Sequence, residues 1–130
     1  VTTPTSSYGR DDPRFWLEAI DLHLDAEVGQ DYLEQPLAQD WARIAKVQEE
    51  CGEAIAELIL WTKQNPRKAL RGDTRTKDDV LKELADVVIT GALAMQHFTK
   101  DATETQRIIR GILHLTFLRI EKYQQDKAAS

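Results

Sequence analysis

The sequence predicts an all-α fold, a bundle of four to five helices in one domain. Three observations predict it. Apolar residues recur at helical spacing in long segments, cap signals stand where those segments begin, and no alternating strand pattern or internal repeat occurs. A chain of 130 residues with 42% apolar content can bury one modest core.

Residues 1–11 are rich in Thr and Ser, with Pro4 and Gly9, and read as a flexible tail. Asp12 before Pro13 supplies an N-cap acceptor and then a proline at the first helical position. The first helix is expected to run to about Asp25 and to stop before Gly29. A connector holding Tyr32 leads to Pro36, where a long second helix starts through Leu37, Trp41, Ile44, Cys51, Ile55 and Leu58. Asn65–Pro66 ends it, and residues 66–76 read as a loop. Thr76 with Asp79 makes a capping box for the third helix, and Asp101 with Glu104 caps a fourth, expected through about Gln125. The domain is thus placed at 12–126, with 127–130 as a C-terminal tail. From Val87 to Met95 only Thr90 carries a polar side chain. One small chain can hardly surround such a helix, so a homo-oligomer, dimer or tetramer, is expected.

The net charge of −5 argues against nucleic acid or an anionic membrane as the main partner. It leaves anionic small molecules open if cations neutralise them. Cys51 is the only cysteine, which excludes an intrachain disulfide and a cysteine zinc cluster and fits a reducing cytoplasm. No signal peptide or membrane-length apolar run is seen, so a cytoplasmic protein is expected.

The stretch "KVQEECGEAIAELILW" carries its acids on one side. At about 100° per residue, Lys46, Glu49, Glu50, Glu53 and Glu57 share an arc of roughly 100°. Asp79, Glu83 and Asp86 share an arc on the third helix, continued by Thr90 and His97. Each helix therefore offers an i, i+3 acid pair, Glu50 with Glu53 and Glu83 with Asp86. Like charges at this spacing repel, and a hard divalent cation with oxygen ligands relieves the repulsion. A solvated face fits either stripe alone; two stripes on consecutive helices favour a metal site.

"EECGE" followed by "ELAD" resembles the E-E-x-x-E … E-x-x-D signature of the MazG-type all-α nucleoside triphosphate pyrophosphohydrolases. That superfamily includes dimeric dUTPases, dCTP pyrophosphatases and phosphoribosyl-ATP pyrophosphatase. The resemblance covers about Trp41 to Phe98, with a long gap between Glu53 and Glu83. It implies a MazG-like bundle and cleavage of a (d)NTP to (d)NMP and pyrophosphate with Mg²⁺ or Mn²⁺, in nucleotide-pool house-cleaning. It also implies Glu50, Glu53, Glu83 and Asp86 as metal ligands, with Glu49 as a further ligand or the base that orients the attacking water.

Phosphates need cations from the chain too. Lys63, Arg67, Lys68, Arg71, Arg75 and Lys77 stand against the single acid Asp73, a segment that fits either an anion-handling loop or a solvated connector. Lys46, one turn before Glu50, and Lys82, beside Glu83, are further candidates for phosphate or simple neutralisers. For the base, the resemblance points to Trp61, which matches the tryptophan of similar "ELxxW" segments, while Trp16 can stack or pack. Trp41, on the apolar side, reads as core. Relatives carry an aromatic one turn after the motif aspartate, and Thr90 stands there here, which leaves base preference open. Cys51 reads as a small core residue, Gly52 as a point of close helix approach, and His97 as a satisfied helix-end histidine. The rival functions are a non-enzymatic helical interaction module, a ferritin-like di-iron protein and, within the superfamily, phosphoribosyl-ATP pyrophosphatase. The di-iron class wants Glu-x-x-His pairs, and both pairs here end in an acid.

Overall fold

The computed structural model describes residues 6–27, 36–72 and 74–130, so the connector with Tyr32, and Asp73 in the basic segment, lie outside the described residues. Within them the chain forms five helices and no strand: α1 (Pro13–Glu27), α2 (Pro36–Trp61), α3 (Pro66–Leu70), α4 (Lys77–Thr99) and α5 (Ala102–Ala129).

Local chemistry sets the helix starts. Asp12 accepts from the Arg14 backbone N–H at 2.9 Å. Thr76 and Asp79 form the reciprocal box, with the Thr76 N–H donating to Asp79 Oδ2 at 2.7 Å and the Asp79 N–H donating to Thr76 Oγ1 at 3.4 Å. The Thr76 backbone N–H first, and then the Thr76 hydroxyl 2.9 Å from Oδ2, hold the Asp79 carboxyl below its ordinary range. Asp101 accepts from the N–H groups of Thr103 and Glu104, at 2.9 and 3.2 Å. Glu104 does not reach back; it pairs with Arg107 at 2.6 Å.

The structure departs from the expected loop at 66–76. Asn65 and Pro66 end α2 and also start α3, because Asn65 accepts from the Lys68 N–H and Pro66 occupies the first turn. Lys63 makes the break between them. It adopts φ 57°, and the N–H groups of Lys63 and Gln64 donate to Leu60 and Ile59 oxygens at 3.2 and 3.0 Å, closing a Schellman motif. At the other end, α5 runs to Ala129 and takes in most of the expected 127–130 tail. Part of the expected N-terminal tail is tied down as well: Tyr8 Oη lies 2.6 Å from Thr103 Oγ1, and Arg14 stacks over the Tyr8 ring at 4.3 Å.

The main packing is α2 against α4, antiparallel, as the pairings Asp40–His97 and Glu57–Arg75 require. α1 lies on α4 and α5, and α5 touches α4 only near its start. Among the described residues the buried apolar ones are small in number: Ala54, Val80, Leu93, Ala94 and Ala102. Asp21, Glu50, Gln96, His97 and Thr105 are buried with them. Thr105 Oγ1 donates to Gln96 Oε1 at 3.0 Å, satisfying two of these polar groups.

Two expectations about packing are corrected. Trp41 is not core: it faces the apolar side, beside Ile44 and Phe98, but is 74% exposed because none of the described elements covers that side. Gly52 makes no close approach, since a Cβ there would meet nothing within 4 Å. Gly52→Ala should therefore stabilise the chain by about 1 kcal/mol through helix propensity. A thermal melt checks this, and a lower midpoint would mean that something does press on Gly52.

Candidate metal centre

Three carboxylates meet where α2 crosses α4. Glu50, Glu83 and Asp86 each offer an oxygen within 4.8 Å of the other two. Glu50 comes from the middle of α2 and is 7% exposed; Glu83 and Asp86 lie one turn apart on α4 and are partly open. The opening lets a small ligand reach the acids.

Two lysines balance this charge. Lys46 Nζ lies 2.8 Å from Glu50 Oε1 and 3.1 Å from Glu49 Oε1. Lys82 Nζ lies 3.0 Å from Glu83 Oε1 and 3.2 Å from Asp86 Oδ2. Both ammonium groups are held well above their ordinary pKa, Lys46 by Glu50 first and then Glu49, Lys82 by Glu83 first and then Asp86. Each lysine is thus fully protonated and sits where positive charge is wanted. The donor set is all carboxylate oxygen, the chemistry of Mg²⁺ or Mn²⁺ rather than of softer metals.

The other site candidates fall at varying distances from this centre along the fold. Glu53, one turn past Glu50, is exposed and outside the triad. Glu49 is exposed and bound to Lys46. Trp61 is the last residue of α2 and 41% exposed. Lys63 sits in the turn after it, and Arg67, Lys68 and Arg71 are exposed on and just after α3. Arg75 ties this basic segment to α2, its Nε 2.7 Å from Glu57 Oε2. Trp16 lines a groove between α1, α4 and α5 that shares no residue with the triad. Cys51 lines an apolar hollow with Val47, Ile44 and Met95, with no histidine beside it.

A second acid cluster escaped the sequence reading. Asp21, Asp25 and His97 also come within 4.8 Å of one another, but this group holds its own cations. Arg43 lies 3.3 Å from Asp21 and 3.0 Å from Asp25, and Lys100 Nζ lies 3.0 and 2.9 Å from the same two acids. His97 is satisfied as expected, its Nε2 2.7 Å from Asp40 Oδ1. The i, i+4 spacing of Asp21 and Asp25 was the available signal. Their partners lie too far along the chain to be read from it.

Compared with protein-family models, curated proteins and solved structures, the chain matches none. Among the described residues no helix is long and apolar enough to cross a membrane.

Proposed function

We propose that this chain is a MazG-type pyrophosphohydrolase, which cleaves a nucleoside triphosphate between its α and β phosphates to give the monophosphate and pyrophosphate. The observation that carries the reading is the convergence of Glu50, Glu83 and Asp86 from two helices. Those three carboxylates would hold Mg²⁺ or Mn²⁺, with Glu53 joining by a change of rotamer. The bound ion would neutralise phosphate and make water a better nucleophile at neutral pH. Glu49, exposed and paired with Lys46, would accept a proton from the attacking water. Lys46 and Lys82, which pair with these acids in the structure, would donate to the phosphate oxygens where a metal takes up the carboxylates. Arg67, Lys68 and Arg71 would hold the outer phosphates, and Trp61 the base. The protein would act as a cytoplasmic homo-oligomer in house-cleaning of the nucleotide pool.

The uncovered apolar surface supports a second reading, a non-enzymatic helical module in which the lysines are permanent partners of the acids. A panel of nucleoside triphosphates incubated with and without Mg²⁺ separates the two. At least one should yield pyrophosphate and monophosphate, only with the metal. Metal-independent turnover, orthophosphate as first product, or no turnover across the panel would overturn the hydrolase.

A further inference from the structure

The three acids that meet between α2 and α4 already have counter-ions. Glu50, Glu83 and Asp86 bring three negative charges, and Lys46 and Lys82 return two positive ones. The acids are the sheltered part: the Glu50 side chain is 9% exposed and that of Glu83 16%. The lysines are the open part, at 49% for the Lys46 side chain and 70% for Lys82. Each lysine reaches acids of its own helix, Glu49 and Glu50 on α2 or Glu83 and Asp86 on α4. Neither ties one helix to another by an ion pair among the described residues.

Arg43 shows the contrast. It too pairs with acids, but Asp21 and Asp25 lie on another helix and the Arg43 side chain is nearly buried, so that pairing is part of the fold. An ammonium group on a flexible stem at the surface can turn to another anion with no change of backbone.

This arrangement works against either ligand alone. A divalent cation by itself meets acids that are already paired, with two positive charges beside them. A polyphosphate by itself meets lysines that are already engaged, with carboxylates behind them. Where both arrive, the acids can take the cation and the ammonium groups the phosphate oxygens, so every charge keeps a partner. Such an exchange is a coupling free energy, and it favours both ligands by the same factor.

We infer that Lys46 and Lys82 are exchangeable counter-ions, which hold down the centre's affinity for a lone divalent cation and couple that cation's binding to the binding of a triphosphate. This role rests on the metal centre proposed above, but its test reads binding and not turnover.

Two shifts of opposite sign are expected. Lys46→Met and Lys82→Met each remove a positive charge about 3 Å from an acid of the centre. Mn²⁺ alone should bind each variant about 5-fold more tightly than wild type at low salt. The preformed complex of Mn²⁺ with inorganic tripolyphosphate, which offers the phosphates without a base, should bind each about 10-fold more weakly. A role confined to holding the fold would move both constants the same way. Lys82→Arg keeps the charge and should keep the wild-type affinity for Mn²⁺. Methionine suits a helix as well as lysine does, and both positions are open to solvent, so the variants should fold.

Calorimetric titration measures each constant, with Glu50→Gln locating the Mn²⁺ at the triad. An unchanged or weaker affinity for Mn²⁺ in either lysine variant would overturn the exchange. So would a tripolyphosphate complex that binds the variants as tightly as wild type. Mn²⁺ that binds none of these proteins, or binds Glu50→Gln as tightly as wild type, would overturn the exchange and the metal centre together. Metal-dependent turnover without the opposed shifts leaves the hydrolase standing and removes the exchange; the opposed shifts without turnover do the reverse.

Discussion

Glu50→Gln and Asp86→Asn should each lower kcat/KM for nucleoside triphosphate by at least about 1,000-fold, about 4 kcal/mol of transition-state stabilisation. The triad gathers one oxygen from each of three acids, and a neutral amide in place of one loses both charge and anionic donor. The fold should persist. Glu50 is buried beside Lys46, but the acids around it repel one another, so the lost ion pair and the relieved repulsion offset. Mn²⁺ titration of the same variants should show metal affinity falling with activity. Normal turnover in either variant would remove the triad from the mechanism. Glu53→Gln then decides the number of protein ligands. A loss equal to that of Glu50→Gln means that the exposed Glu53 turns inward to bind; a much smaller loss leaves three.

What could be read in advance follows from how far apart the interacting residues lie. Caps act over three or four residues, so Asp12, Thr76 and Asp101 announce their helices, and the all-α class follows from them and from the periodicity. Asn65–Pro66 was equally local but has two meanings. It stops one helix and starts another, and the stop hid the start. Periodicity tells which side of a helix is apolar but not whether anything covers that side, which is why Trp41 looks like core and is exposed. The same limit applies to the acids. Their spacing placed Glu50 and Glu53 together on one face, whereas the crossing of α2 over α4 selects Glu50 and leaves Glu53 outside. The network of Asp21, Asp25, Arg43 and Lys100 joins α1, α2 and the residue that caps α4, and only the i, i+4 spacing of its two acids is local.

That network carries the largest stability effect expected. Arg43→Met should destabilise the chain by about 3 kcal/mol, because it leaves Asp21 buried with one cation instead of two. Asp21 is 5% exposed and the Arg43 side chain 12%, so water cannot replace the lost partner. Lys100 remains 3.0 Å away and keeps the loss near the low end for a broken buried pair. The melting midpoint should fall by about 10 °C. The double variant Asp21→Asn/Arg43→Met should lose less than the sum of its singles, since no unpaired charge is left behind. Acid should act on the same contacts. Burial alone would raise the Asp25 pKa, but hydrogen bonds from Lys100 and Arg43 outweigh it and hold the carboxyl below its ordinary value. A depressed carboxylate pKa stabilises fully above the unfolded value, about 3.9, and that contribution is lost as pH falls through the folded one. The wild-type midpoint should therefore drop as pH falls below about 4, and Arg43→Met, already missing one partner of Asp25, should show a shallower drop. Melts of both proteins from pH 7 to pH 2 test the two claims together. A variant that melts within about 2 °C of wild type at pH 7 would mean that Lys100 alone holds the joint.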